Sequence, residues 1–254
     1  MTIIIKKQIY HALLNNRDVD IDDLITKINY ATEIIKKTDK SISLKVDNYF
    51  VKKTTYSRFE GMIRHLLLRR RCKNAWNISR YLDSHSISTP KPIGYIELRQ
   101  YFIPVQHIFI TEFINDSCNV EMFVKNKIYI QKGVSLPEFF NSIHNLIFSL
   151  WEKKIYHKDV SGKNLLTTDG KRIFIIDLDS AIIKRTILLK DKLKSLVQLY
   201  DSFCDFVDED TLRNFILSFL PELKSDKCVL LFNQIKELQS ERRIKHLIHL
   251  EKYK

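Results

Sequence analysis

Long apolar runs are absent from this chain of 254 residues. No segment approaches the roughly 18–20 apolar residues that a membrane-spanning helix requires, so the sequence predicts no such helix. The start, MTIIIKKQIY, is a short apolar patch followed by lysines, and it has no small-residue cleavage site. We therefore expect no secretory signal peptide and an intracellular protein.

Cysteine and glycine are also scarce, with four and five copies. The cysteines lie far apart, form no CxxC pair and have no metal-ligand spacing, which favours free thiols in a reducing compartment. No glycine precedes Gly61. This excludes a glycine-rich phosphate-binding loop from the start of the chain.

Acidic residues are outnumbered by basic ones, and the net charge is +12. A chain this basic favours an anionic partner, whether nucleic acid, acidic lipid or a phosphorylated substrate. No nucleic-acid-reading motif is present, and the basic residues lack the interleaved aromatic residues of single-strand platforms. We therefore expect no nucleic acid as a partner.

The first half of the chain is rich in short β segments. Residues 1–30 predict one or two short helices. Three strands separated by polar turns follow, in TEIIKK (32–37), SISLKV (41–46) and YFVKKT (49–54). A basic helix is predicted over 61–85 and is ended by Pro90 and Pro92, before two more strands in IGYIEL and HIFITEFI. This order predicts a five-stranded antiparallel sheet with one inserted helix.

The second half of the chain has a mainly helical pattern. An amphipathic helix is predicted over 136–154. Asp169-Gly170, between the apolar segments NLLTT and RIFIID, predicts a β-hairpin. The remaining residues read as helical and basic. The predicted fold is therefore α+β with two lobes, 1–113 and 114–254.

The stretch IYHKDVSGKNLL, followed by IFIIDLD, contains the strongest functional signal. Phosphoryl transfer from ATP needs metal-bound phosphates, a lysine clamp and a carboxylate beside the attacking hydroxyl. Protein kinases place that carboxylate and an asparagine metal ligand five residues apart, with a second aspartate after the next hairpin. Asp159, Asn164 and Asp177 match this order, which predicts a kinase that uses ATP and Mg²⁺. Asp159 would be the catalytic carboxylate, Asn164 and Asp177 the metal ligands, and His157 a brace for the loop.

The lysine of such a site should lie on the third strand. YFVKK offers Lys52 and Lys53, and only one can face the nucleotide because a strand alternates faces. Lys52 follows Val51 as in the kinase V-A-I-K pattern and is preferred. Glu112 and Phe113, in FITEFI, would contact adenine through main-chain groups.

These segments resemble the lipopolysaccharide core kinases, which phosphorylate Kdo or heptose sugars. The resemblance runs from about residue 30 to residue 200. It includes IIKKTDKSISLKVDNYFVKKT, CKNAWNISRYLDSHSISTPKPIGYIE, IYHKDVSGKNLL and IFIIDLD. It implies a protein-kinase-like fold and an ATP-dependent sugar kinase, peripheral on the cytoplasmic face of the inner membrane of a Gram-negative bacterium. It supports Lys52, Asp159, Asn164 and Asp177 as site residues.

The chain departs from the kinase pattern at several points. With no glycine-rich loop, TDKS (38–41) must cover the phosphates. Ser86 stands where the family commonly has glycine. The inserted helix offers no clear glutamate partner for Lys52, because Glu60 lies too near its start. Asp179 replaces the glycine of a D-F-G segment, and no A-P-E segment follows. These departures argue against a regulated peptide kinase.

The basic residues suggest where an anionic partner would bind. A cluster on the inserted helix could meet a phosphorylated glycolipid or anionic lipid; it comprises Arg64, Arg69, Arg70, Arg71 and Lys73. The tail, 240–254, could lie on a membrane surface. The alternatives are an atypical protein kinase, another small-molecule kinase of this fold, or a basic pseudokinase that only binds.

Overall fold

A computed structural model describes residues 2–5, 8–15, 20–56, 71–100, 103–222 and 225–251. The chain divides into two compact units. The first contains Met1–Asn115 together with Asp177–Ser180, and the second contains Asp116–Ile176 and Ala181–Lys254. No helix among the described residues is long and apolar enough to cross a membrane. All four cysteines are free thiols.

The first unit is built on an antiparallel sheet of seven strands, in the order β1-β2-β6-β7-β5-β4-β3. The strands are β1 Thr2–Ile5, β2 Gln8–Leu14, β3 Ile34–Lys37, β4 Ser41–Val46, β5 Tyr49–Thr55, β6 Pro92–Gln100 and β7 Ile103–Glu112. The five strands predicted from the sequence correspond to β3–β7. The predicted total of five is wrong, because β1 and β2 extend the sheet.

The expectation of helix at the very start of the chain is also wrong. Residues of β2 pair antiparallel with β6, from Ile9 opposite Arg99 to Leu14 opposite Gly94. Ala12 is buried and Leu13 is exposed, which is the period-two pattern of a strand with one covered face. Residues of β2 are therefore extended because they pair with the edge of β6, which lies about eighty residues further along the chain.

Helix α1, Ile21–Tyr30, is the part of the N-terminal helical prediction that is confirmed. Asp20 caps it by accepting hydrogen bonds from the N–H groups of Asp22 and Asp23. Its buried face joins the apolar core on one face of the sheet. That core includes Leu24, Ile25, Ile28, Val51, Ile96, Ile108 and Ile110.

Helix α2, Arg71–Ser84, lies on the opposite face of the sheet. Trp76 and Leu82 are fully buried there. The helix ends where Ser86 adopts a φ of +56°, and the Ile87 N–H donates to the Leu82 carbonyl at 3.0 Å. Ser86 therefore takes the left-handed turn that favours glycine. The first part of the predicted 61–85 helix, including Glu60 before it and Arg64, Arg69 and Arg70 within it, lies outside the described residues.

The second unit contains six helices and five short strands in its described part. The helices are α3 Val120–Lys125, α4 Ile128–Gln131, α5 Leu136–Glu152, α6 Leu189–Phe203, α7 Glu209–Leu217 and α8 Ser225–Glu251. The strands are β8 Cys118–Asn119, β9 Ile155–Tyr156, β10 Leu165–Thr167, β11 Ile173–Ile175 and β12 Ile182–Ile183. The α+β class predicted from the sequence is confirmed.

Helix α5 forms the centre of the second unit. Ser135 and Glu138 form a reciprocal capping box at its start. Phe139, Ile143 and Ile147 are fully buried, as the amphipathic pattern predicts. Phe140 stacks on Phe215 of α7 with ring centroids 4.4 Å apart. This aromatic core supports the loops on either side of the hairpin.

The predicted hairpin is confirmed as β10 and β11, which pair from Leu165 opposite Ile175 to Thr167 opposite Ile173. Gly170 turns the chain with a φ of +77°. A Cβ atom at that position would lie 2.8 Å from the Phe123 ring. Glycine is therefore required there for both its conformation and its size.

Candidate functional site

In the first unit, Lys52 of β5 lies between two carboxylates. Its Nζ donates hydrogen bonds to Asp177 Oδ1 at 2.8 Å and to Asp179 Oδ2 at 2.7 Å. Burial by itself would lower the pKa of Lys52. The two carboxylates outweigh that effect, with Asp179 the larger, and the pKa is raised. Lys52 is therefore a charged, positioned ammonium at neutral pH.

Lys53 faces the other side of the sheet. Its Nζ lies 3.5 Å from Asn29 Oδ1, at the end of α1. Burial lowers its pKa. Strand alternation thus separates the two candidate lysines, and only Lys52 reaches the carboxylates.

The turn at 177–180 is held by helix α2. Asn74 Nδ2 donates to the Asp179 carbonyl at 3.2 Å. Asp177 adopts a φ of +57°, a left-handed conformation that is uncommon outside glycine. With the chain reversed in this way, two aspartates that are separated by Leu178 both contact the same lysine. Among the described residues, the two carboxylates that pair with Lys52 both come from this turn.

Cys72 lies on α2 behind this cluster. Its Sγ is 3.5 Å from Thr54 Oγ1, on the same strand face as Lys52. Burial, reinforced by the nearby Asp179 carboxylate, raises the pKa of the Cys72 thiol to about 11. The thiol is therefore protonated at neutral pH and unsuited to act as a nucleophile.

In the second unit, Asp159 and Asn164 lie in one loop, residues 157–164, which we call the Asp159 loop. Asn164 Nδ2 donates to the Asp159 carbonyl at 3.0 Å and to Asp159 Oδ2 at 2.9 Å. The Asn164 carbonyl accepts from the Ile176 N–H at 3.0 Å. Asp159 is exposed, so its second carboxylate oxygen can meet a substrate hydroxyl.

His157 is buried at the start of the Asp159 loop. The Asp159 N–H donates to His157 Nδ1 at 3.3 Å. This contact fits the bracing role predicted for His157. A buried imidazole behind the loop is poorly placed to take a proton from solvent or substrate itself.

Gln198 of α6 is a residue that the sequence did not single out. Its Oε1 accepts from the Val160 N–H at 2.8 Å, and its Nε2 donates to the Lys158 carbonyl at 2.8 Å. This one side chain thus forms hydrogen bonds with the backbone on both sides of Asp159. No local pattern marks this glutamine, because its partners lie about forty residues earlier in the chain.

Ser202, one turn further along α6, secures the next part of the same loop. Its Oγ accepts from the Gly162 N–H at 2.8 Å and donates to the Gln198 carbonyl at 2.8 Å. A Cβ atom on Gly162 would lie 3.1 Å from the Cβ atoms of Ser202 and Glu121. The small residue therefore allows the loop to lie against the helix.

Glu112 and Phe113 lie at the end of β7. The Glu112 N–H donates to the Lys91 carbonyl at 2.9 Å, and the Phe113 N–H donates to the Asn48 carbonyl at 2.8 Å. Lys45 lies over the Phe113 ring, 4.7 Å from its centroid. These two N–H groups already have backbone partners. Main-chain contacts to adenine would therefore have to come from carbonyl groups here or from neighbouring residues.

The turn proposed to cover the phosphates joins β3 to β4. The Thr38 N–H donates to the Ser41 carbonyl at 2.8 Å, and the Ser41 N–H donates to Thr38 Oγ1 at 3.1 Å. The turn is therefore closed by its own hydrogen bonds. Asp39 and Lys40 are exposed at its tip.

Oxygen donors suited to Mg²⁺ occur in both units. Asp177 and Asp179 supply carboxylates, and Asn164 keeps its amide oxygen available because the amide nitrogen makes the contacts to Asp159. Such hard oxygen ligands are what Mg²⁺ prefers, and it usually needs only a few from the protein. No group of three or more His, Cys, Asp or Glu suited to a metal occurs within the described ranges. Each unit thus contains oxygen donors of the kind that Mg²⁺ prefers when phosphates supply its remaining ligands.

The chain is similar to known proteins in sequence pattern and in fold. A sequence model of the lipopolysaccharide kinase (Kdo/WaaP) family matches residues 23–217, which is more than half of the chain. A solved structure described as WaaP in complex with acyl carrier protein has a TM-score of 0.63. It is 15% identical, and the match covers 91% of this chain and 98% of that one. At this identity the likeness shows the fold alone. No curated protein matched the sequence.

Proposed function

Because the chain belongs to the lipopolysaccharide kinase (Kdo/WaaP) family, we propose that it phosphorylates a sugar hydroxyl, of Kdo or of heptose, in the lipopolysaccharide inner core. As a member of this family the protein is a kinase, and it uses ATP as the phosphate donor. Phosphorylation of a sugar hydroxyl is supported most strongly by one contact in the Asp159 loop. Asn164 Nδ2 donates a hydrogen bond to the Asp159 carboxylate at 2.9 Å. The loop offers a positioned, exposed carboxylate for an acceptor alcohol.

The proposed roles follow from the chemistry of each group. Asp159 would accept or orient the proton of the attacking hydroxyl. Lys52 would contact the nucleotide phosphates as a fixed positive charge. Asp177 and Asn164 would hold Mg²⁺, and Asp179 adds a further oxygen donor beside Lys52. When bound, Mg²⁺ neutralises charge on the phosphates and orients them.

Gln198 and His157 would act through the loop rather than on the substrate. Their hydrogen bonds fix the backbone on either side of Asp159. Correct orientation of the reacting groups accounts for much of the rate enhancement in phosphoryl transfer, because the protein takes little part in the covalent chemistry. Glu112 and Phe113, where β7 ends, would contact adenine through main-chain groups.

We propose that the protein works at the cytoplasmic face of the inner membrane as a peripheral protein. The net charge of +12 supports contact with anionic lipid or with a phosphorylated glycolipid acceptor. Lys73 of α2 is half-buried, and the other members of the predicted basic cluster contribute no described side chain. The support for this location is therefore the overall charge and the family.

The test is phosphate transfer from labelled ATP with Mg²⁺ to core lipopolysaccharide taken from a kinase-deficient strain, beside a generic protein acceptor. We expect label in the glycolipid, with its loss in Asp159→Ala and its retention in Glu152→Gln, which changes an exposed carboxylate at the end of α5. Label in protein alone would favour an atypical protein kinase. Tight ATP binding with no transfer would favour a pseudokinase.

A further inference from the structure

The loop between β12 and α6 exposes apolar side chains beside basic ones. Leu188 is 47% exposed, Leu189 is 56% exposed, and Ile183 at the end of β12 is 53% exposed. Arg185 and Lys190 flank the two leucines and are also exposed. Single exposed leucines are common on protein surfaces, but a cluster in one short loop indicates an interaction surface.

Buried Asp191 ties the loop at both ends. Its Oδ1 accepts from Lys184 Nζ at 2.7 Å, and its Oδ2 accepts from the Leu188 N–H at 3.1 Å. The Lys184 N–H also donates to the Lys154 carbonyl at 2.8 Å. Both ends of the loop are therefore fixed, and its exposed side chains are considered together as one surface. We call this surface, residues 183–190 without the internally paired Lys184, the docking loop.

The docking loop is connected directly to the Asp159 loop. It leads into α6, and Gln198 of that helix holds the backbone at Lys158 and Val160. Leu189 precedes Gln198 by nine residues. This corresponds to about 14 Å along the helix axis. A surface that engages the docking loop would therefore be kept at a set distance from the Asp159 loop.

Charge decides which partner fits best. The docking loop contains no acidic residue, and its two exposed cations, Arg185 and Lys190, stand on either side of Leu188 and Leu189. Apolar side chains flanked by cations match the boundary of an anionic bilayer, where phosphates lie above acyl chains. A protein partner would instead need an acidic patch around an apolar centre to complement this surface.

We propose that the docking loop binds the anionic phospholipid surface of the membrane that displays the acceptor. This inference rests on the proposed function, because binding to this membrane would bring the protein to its glycolipid acceptor. Leu188 and Leu189 enter the region between headgroups and acyl chains, and Arg185 and Lys190 contact lipid phosphates. This contact would keep the Asp159 loop close to the membrane that displays the acceptor.

The test is co-sedimentation of the full chain with vesicles of phosphatidylglycerol and phosphatidylethanolamine, and with vesicles of neutral phosphatidylcholine. The variants are Leu188→Ser with Leu189→Ser, and Arg185→Gln with Lys190→Gln. Serine is favoured at the residue before a helix, so the first variant should keep its fold; its thermal unfolding midpoint and ATP binding check this. The control is Ile130→Ser with Lys132→Gln, which changes an exposed apolar residue of α4 and the exposed lysine that follows the helix.

We expect both docking-loop variants to bind anionic vesicles at least tenfold more weakly, since each cation near such a surface is worth roughly fivefold in binding. The control should bind like the wild type, and neutral vesicles should bind little. Equal binding by wild type and docking-loop variants would overturn the inference. Loss of binding only in Ile244→Ser with Leu247→Ser would overturn it too, by moving the surface to α8.

The vesicles contain no acceptor sugar, so the two proposals can fail separately. If the docking loop drives vesicle binding but no lipopolysaccharide is phosphorylated, the proposed function fails and the inference stands. If lipopolysaccharide is phosphorylated and the docking-loop variants still bind vesicles normally, only the inference fails.

Discussion

Lys52 Nζ lies 2.7 Å from Asp179 Oδ2, as close as its 2.8 Å contact with Asp177 Oδ1. Asp179 occupies the position of the glycine in a D-F-G segment. That replacement removes a flexible residue and adds a second carboxylate beside the lysine. The turn is therefore both stiffer and more negative than a glycine would make it, and under the proposed function both aspartates would be oxygen donors for a phosphate-bound metal.

The two adjacent lysines of β5 provide a matched pair for mutation. Lys52→Met should lower the rate of phosphate transfer by about 10²–10³-fold, because it removes a positioned positive charge. Lys53→Met changes the opposite face of the sheet and should leave the rate near that of the wild type. Initial rates with saturating acceptor and varied ATP measure both. Equal losses in the two variants would contradict the assignment of Lys52.

Asp159 and Asp177 should affect different steps. Asp159→Ala should lower turnover by roughly 10²–10⁴-fold, because it removes the group that accepts or orients the hydroxyl proton. Its affinity for ATP should be retained. Asp177→Ala should instead weaken binding of ATP in the presence of Mg²⁺. Calorimetric titration with and without Mg²⁺ separates the two effects, and an Asp159→Ala enzyme of full activity would refute the site.

Gln198 should matter for turnover more than for nucleotide binding. Gln198→Ala frees the backbone at Lys158 and Val160, and we expect kcat to fall by about tenfold to a hundredfold. Gln198→Glu keeps the acceptor for Val160 but loses the donor to Lys158, so its loss should be intermediate. Gln234→Ala, on the exposed side of α8, serves as the control. An unchanged kcat in Gln198→Ala would show that the Asp159 loop needs no brace.

Asp191 should make the free energy of unfolding depend on pH in the acid range. Burial alone would raise its pKa, but hydrogen bonds from Lys184 and the Leu188 N–H lower it below its usual value. Its contribution to the free energy of unfolding is therefore present above about pH 4 and is lost as pH falls through the lowered pKa. Asp191→Asn should be about 2 kcal/mol less stable at pH 7. It should also lose less stability than the wild type on acidification.

This pH dependence can be measured by urea unfolding from pH 7 to pH 2. Glu152→Gln is a suitable control, because Glu152 is an exposed carboxylate at the end of α5. Parallel curves for the wild type and Asp191→Asn would mean that the buried pair does not contribute to acid unfolding.

Gly162 should be intolerant of even one added methyl group. Gly162→Ala places a Cβ atom 3.1 Å from the Cβ atoms of Glu121 and Ser202. We expect a loss of about 1–3 kcal/mol in the free energy of unfolding, since this packing must open. At Gly133, with a φ of +65° and no atom within 4 Å, alanine adds backbone strain without a clash. Denaturant unfolding of both variants compares the two causes.

Local patterns in the sequence were sufficient for most elements. The spacing of apolar residues located α1 and α5, and the Asp169-Gly170 turn located the hairpin. These features depend on residues close together in the chain, so periodicity and turn chemistry reveal them. The order of Asp159, Asn164 and Asp177 likewise indicated a kinase, because all three lie within one short stretch of the chain.

Other features depend on contacts between distant residues. β1 and β2 are strands because β6 offers them an edge, and their composition alone did not distinguish this from helix. Asp177–Ser180 belong to the first unit although they follow the predicted boundary near residue 114. A single boundary in the sequence could not predict this. Gln198 is another such case, since a glutamine in a helix carries no local sign that it will bind a loop about forty residues earlier.

The sequence by itself therefore determined the α+β composition, the kinase-like order of residues and the membership of the family, because these are properties of neighbouring residues and their spacing. Only the tertiary structure decided that Lys52 rather than Lys53 meets the carboxylates, that Asp179 joins Asp177, and that Gln198 grips the Asp159 loop. Each of these is a hydrogen bond or ion pair between residues far apart in the chain. Their geometry exists only after the sheet and helices have packed.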